Sequence, residues 1–91
     1  TGSPVFKIQI LTSSRPIAAN DKRLKGLKGV EHFQEGGLYK YTYGSSTDYN
    51  KVVRTKREIT PKFKDAFIIA FKNGKKINVQ TAIEEFKKKK K

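Results

Sequence analysis

Three tyrosines, Tyr39, Tyr41 and Tyr43, alternate with Leu38, Lys40 and Thr42 in a stretch closed by glycine at both ends, Gly37 and Gly44. Alternating aromatics in a basic strand can make a stacking platform for nucleobases, and lysines beside them attract an anionic backbone. Groups suited to catalysis are sparse. His32 is the only histidine, which rules out a histidine-pair metal site. Cysteine is absent, so neither disulfides nor thiolate sites can form. The carboxylates are scattered, with no pair of the glycosidase kind. Ser45 and Ser46 have no identifiable base and read as capping residues. The glycine-flanked stretch lacks the Gly-Lys-Ser/Thr ending of a phosphate loop. These features point to binding rather than catalysis, with no metal and no cofactor expected.

The 21 basic against 8 acidic residues give a net charge of +13, and with Lys87 to Lys91 set aside the rest of the chain still carries +8. Such a balance attracts polyanions, whether nucleic acid, acidic lipid or acidic polysaccharide, without choosing among them. No apolar run approaches the length of a membrane-spanning helix. The 91 residues suggest one domain, and at 35% hydrophobic content its core must be thin. The domain is expected over residues 4–86, with 1–3 as cloning-derived residues and 87–91 as a lysine tail.

The elements follow from periodicity. Phe6, Ile8 and Ile10 alternate with Lys7 and Gln9 as a strand with one apolar face. Leu11 breaks the alternation, and residues 12–14 read as a polar turn. Asn20 or Asp21 is placed to cap a turn or two of helix that Gly26 and Gly29 would end. Val30 to Gln34 and Leu38 to Tyr43 read as a hairpin around Gly36 and Gly37, with Gly44 ending the second strand. Ser46 or Thr47 is placed to cap a helix whose inner stripe is Tyr49, Val52, Val53, Lys56, Ile59 and Phe63, with one further turn opened by Thr60 and Pro61. Ala66 to Phe71 reads as a buried strand. Asn73-Gly74 should turn it back into a short strand at Ile77. Thr81 and Glu84 form a capping-box pattern for a last helix running through Phe86 into the lysines.

This order implies an α+β fold of ferredoxin-like, RNP-like type: an antiparallel four-stranded sheet with helices on one face, a short first helix, and an extra C-terminal hairpin strand and helix. Alternation then assigns the faces. The tyrosines go to the core with Phe6, Ile8 and Ile10, while Lys7, Gln9, Leu38, Lys40 and Thr42 line the open face. The stacking platform is weakened accordingly.

These residues also resemble a family. Gln9 in an amphipathic first strand, then Gly37 to Gly44, a helix, and the run Asp65 to Phe71 look like the SPOR (sporulation-related) domain, whose third strand commonly reads Gly-Leu-Tyr-Arg-Val-Arg-Val-Gly. The resemblance covers about residues 5 to 77 and is strongest to the SPOR domains attached to Bacteroidetes N-acetylmuramoyl-L-alanine amidases. It implies a module of the periplasm or cell envelope, expected as a monomer, that binds septal peptidoglycan glycan strands denuded of stem peptides. By position it implies a glycan-binding set of Gln9, Thr12, Ser13, Leu38, Lys40, Thr42, Phe67 and Ile69. A denuded strand bears a lactyl carboxylate on each muramic acid, which suits lysines. Amide and hydroxyl side chains suit acetamido and hydroxyl groups, and Leu38 or Phe67 suits the C–H face of a sugar. The sequence departs from the family in two ways. Residues 14–29 supply no long amphipathic helix, and Leu38 stands where an aromatic is common.

An RNA-recognition module is the alternative, although Lys7 and Gln9 stand where its first strand would carry an aromatic. A third possibility is partner-strand pairing along the edge of residues 66–71, unless the Asn73-Gly74 hairpin covers it.

Overall fold

A computed structural model describes residues 3–89. The chain runs β1 (Val5–Ser13), a 3-10 turn (Lys22–Leu24), β2 (Glu31–Glu35), β3 (Leu38–Ser46), α1 (Tyr49–Ile59), β4 (Phe67–Lys72), β5 (Lys75–Ile77) and α2 (Val79–Lys89). The strands form one antiparallel five-stranded sheet in the order β2-β3-β1-β4-β5. Five strands and two helices make a small α+β domain.

The core lies between the sheet and the helices. Phe6, Ile8 and Ile10 of β1 meet Val52 and Ile59 of α1, Ala70 of β4 and Ala82 of α2 in one buried cluster, with Phe86 packed against it. The ring of Phe6 contacts Tyr49 and Phe86 edge-on, at 5.1 and 6.2 Å. Removing a side chain of this size from water contributes ~1.5–3 kcal/mol. The tyrosines lie on this side: Tyr41 is buried, and Tyr39 and Tyr43 are half-buried against the cluster.

Two bulges shape the sheet. The register of β1 against β3 steps from Gln9↔Thr42 to Leu11↔Tyr41, leaving Ile10 unpaired, and from Lys7↔Ser45 to Ile8↔Tyr43, leaving Gly44 unpaired. Ile10 is therefore the reason the alternation fails at Leu11; β1 does not turn there but continues to Ser13. Gly44 likewise does not end β3. It sits at φ +75°, in the left-handed region, with space for a Cβ limited by Thr55 Cγ2 at 3.3 Å. Bulges bend a strand and increase its twist.

Several boundaries differ from the sequence expectation. α1 is capped by Asp48, whose carboxylate accepts from the N–H groups of Asn50 and Lys51, rather than by Ser46 or Thr47. Thr60 and Pro61 open no further helix. Thr60 closes α1, and the turn after it seats Phe63 through its N–H to the carbonyl of Ile59, at 2.9 Å. α2 begins two residues before Thr81, with Asn78 Oδ1 accepting from the Thr81 N–H at 3.1 Å. It carries on through Lys89, so the lysine run starts as helix. Thr1, Gly2, Lys90 and Lys91 lie outside the described residues.

Where a first helix was expected, Asp21 caps only the single turn Lys22–Leu24, and Leu24 is its one buried residue. The rest of residues 14–30 lies across the sheet as an extended loop, fastened where the Tyr41 hydroxyl accepts from the Ile17 N–H at 2.6 Å. Asn73 and Gly74 form the β4–β5 turn with φ +54° and +81°, the mirror-image turn that suits strand twist. β5 covers the outer edge of β4.

Candidate functional site

The sheet face opposite the helices is defined by register, since directly paired residues point the same way. It carries Lys7, Gln9 and Thr12 from β1, Leu38, Lys40, Thr42 and Ser45 from β3, Glu31, Phe33 and Glu35 from β2, Phe67, Ile69 and Phe71 from β4, and Lys76 from β5. Seven of the eight sequence-predicted residues thus share one face. Ser13 does not. It pairs with Tyr39 on the helix side, and its hydroxyl accepts from the Arg15 N–H at 3.1 Å. The bulge at Ile10 sets which residues of the last part of β1 reach each face.

The face is not the open platform the alternation suggested. Phe33 on β2 meets Phe71 on β4 edge-to-face with ring centroids 5.2 Å apart. Glu35, at the end of β2, accepts from Lys40 Nζ at 2.5 Å and from Lys76 Nζ of β5 at 3.1 Å. In a flat sheet β2 and β4 would lie about 14 Å apart, and β2 and β5 further still. The sheet is therefore coiled, and two diagonally opposite corners close over its concave middle. Lys7 extends this clasp: its ammonium lies 3.4 Å from Glu31 and 5.2 Å from the Phe71 ring centroid. Lys76 lies 5.8 Å from the ring centroid of Phe33.

Burial follows from this closure. Thr42 is 1% exposed and Ile69 2% exposed, so neither is presented to a ligand in this conformation. Lys40 is half-buried and ion-paired. The Lys40 and Lys76 ammonium groups, Lys40 foremost, hold the Glu35 carboxyl below its ordinary pKa. The ion pairs are screened by solvent and contribute little, and an aromatic pair contributes ~0.5–1.5 kcal/mol. The clasp is thus a contact that a ligand of modest affinity can offset.

The end of the face near the start of β4 stays open. Phe67 is 49% exposed and pairs directly with Gln9. Gln9 is 7% exposed; its Nε2 donates to Thr12 Oγ1 at 3.2 Å, and its Oε1 is buried without a hydrogen-bond partner among the described residues. Gln9, Thr12, Asp65 and Phe67 line a groove of about 310 Å³. An exposed ring, an amide with a spare acceptor, a hydroxyl and a carboxylate stand together there. Leu38, 38% exposed, lies at the far hairpin on the same face.

Phe33, Phe71, Glu31, Glu35 and Lys76 were not singled out from the sequence. Phe33 and Phe71 lie far apart in the chain, and only the coiling brings them together. Asp65 was visible only as a strand boundary.

Among the described residues no three His, Asp or Glu side chains converge as a metal site, and no helix is long and apolar enough to cross a membrane. No family model, curated protein or solved structure matches the chain.

Proposed function

We propose that the chain is a peptidoglycan-binding module that recognises glycan strands denuded of stem peptides, a SPOR-type domain acting in the periplasm or cell envelope to bring an attached N-acetylmuramoyl-L-alanine amidase to the septum. Its role is binding, as a monomer, without catalysis. The sheet is read as ferredoxin-like in its strands β2-β3-β1-β4, with β5 added at the edge; the strand order supports this reading.

One observation carries the functional reading: the half-exposed Phe67 ring stands directly opposite Gln9, whose buried Oε1 has no partner among the described residues. A buried unpaired acceptor costs ~1–3 kcal/mol, and a sugar hydroxyl or acetamido N–H would satisfy it. The Phe67 ring supplies an apolar surface for the C–H face of the same sugar. Leu38 and Lys40 extend the face toward the β2–β3 hairpin. The exposed lysines outside the clasp add long-range attraction to a strand bearing carboxylates.

The test is co-sedimentation with purified sacculi at physiological salt, with and without prior amidase digestion. Digestion-enhanced pelleting that is lost in Phe67→Ala is the expected result. Equal, weak pelleting that disappears with added salt would reduce the interaction to nonspecific polyanion attraction. Single-stranded RNA is the competing ligand to measure alongside. The ligand-side positions of the two central strands, Lys7, Gln9, Lys40 and Thr42, hold no aromatic ring, which favours glycan over RNA.

A further inference from the structure

Three lysines on the concave face, Lys7, Lys40 and Lys76, are each neutralised by a carboxylate of one edge strand, β2. Glu31 takes the first, and Glu35 takes the other two. Beside Lys7 is a cleft of about 470 Å³ with Phe33, Thr42, Ser45 and Phe71 among its walls. β2 itself is bonded to the sheet on one side only, through β3. By contrast, Lys51, Arg54 and Arg57 on the outer side of α1 are exposed. Glu31 and Glu35 are thus placed on the face that would receive a ligand.

We propose that the concave face is a second ligand-binding segment that takes a carboxylate-bearing oligosaccharide, and that Glu31 and Glu35 occupy it as internal stand-ins for the ligand's own carboxylates. A ligand acid group displaces Glu35 from Lys40 and Lys76, and another displaces Glu31 from Lys7. The corners then part, and Phe33 and Phe71 separate to expose ring faces and Thr42 to the sugar, beside the already exposed Ser45. An uncharged oligosaccharide has nothing to exchange for the glutamates and leaves the cleft shut. Glu31 and Glu35 are four residues apart on one strand, about 13 Å between Cα atoms, so the ligand must present acid groups at intervals along a chain. The proposal deepens the glycan reading of this same sheet face, and rests on it for the identity of the natural ligand alone.

The test uses the full chain and two probes: oligogalacturonate, acidic on every sugar, and uncharged chitohexaose. Glu31→Gln/Glu35→Gln should bind oligogalacturonate about fivefold more tightly than wild type. Glu58→Gln/Glu84→Gln changes the net charge equally on the exposed faces of the two helices, and should gain much less. Amide hydrogen exchange in β2 should accelerate in the first variant and not in the second. Glu35→Gln alone gives the same readouts if the double variant folds poorly. Equal gains for the two double variants, or unchanged exchange in β2, would overturn the proposal. Failure to bind sacculi together with the expected oligogalacturonate contrast would remove the peptidoglycan reading and leave the cleft standing.

Discussion

Phe33 and Phe71 meet edge-to-face at 5.2 Å although β3 and β1 lie between their strands. The contact reports the coiling of the sheet directly. Phe33→Ala should free the corner of β2 and destabilise the fold by about 1–2 kcal/mol, less than truncation of a fully buried ring because Phe33 is only half-buried. For a domain of this size that lowers the melting temperature by roughly 5–15 °C. Calorimetry gives the shift, and hydrogen exchange should show the protection lost from β2 before β1.

Gln9 separates stability from binding. Gln9→Met removes a buried acceptor that has no partner among the described residues, at the expense of one hydrogen bond to Thr12. Stability should stay within about 1 kcal/mol of wild type or rise, while pelleting with digested sacculi falls. A variant that lost stability and kept binding would contradict the role given to Oε1.

Phe67 should behave in the opposite way to a core residue. At 49% exposure its truncation to alanine leaves the melting temperature almost unchanged. Binding to denuded glycan should fall by about tenfold, within the ~1–3 kcal/mol range of a lost stacking platform.

Glu35 gives the clasp a pH dependence of defined sign. Its folded-state pKa lies below the ordinary carboxylate value because of Lys40 and then Lys76. Its stabilising contribution is therefore complete above the unfolded pKa and is lost as pH falls through the lower folded value. Exchange protection of β2 should begin to decline as pH falls into the ordinary carboxylate range, where the open form takes up its proton, and the loss should be complete only below the lower folded value. Glu35→Gln should flatten that decline.

Gly44 tests the bulge. Alanine there must adopt φ +75° and places its Cβ against Thr55 and Ile8, so Gly44→Ala should cost about 1–2 kcal/mol for the backbone conformation alone. Urea unfolding measures it.

Much of the fold was legible because local rules governed it. Tyr39, Tyr41 and Tyr43 went inward since a strand that alternates must sort its residues by face. Asn73-Gly74 specified its turn by backbone conformation alone. The helix caps were displaced by one to three residues, to Asp48 and Asn78, because several neighbouring side chains offer the same hydrogen bond. The candidate face was legible as a set of residues and illegible as a shape. Gln9, Leu38, Lys40 and Thr42 were placed on it by alternation, and Phe67 and Ile69 by the family resemblance, but their exposure depends on coiling set by unpaired residues in two strands. A glycine within an apolar strand and the run Gln9-Ile10-Leu11 were the signals of those bulges. The meeting of Glu35 with Lys76 has no local signature at all.

The β4–β5 hairpin has a consequence for how copies of the chain meet. β5 is three residues long, and two of the three are lysines. Strand-on-strand growth needs a long, uncharged rim as its template, and this rim is short and cationic. The apolar run of β4 is sealed behind it. Crowded on a polymeric surface, copies of this domain should repel one another along that rim and stay discrete instead of zipping into fibres.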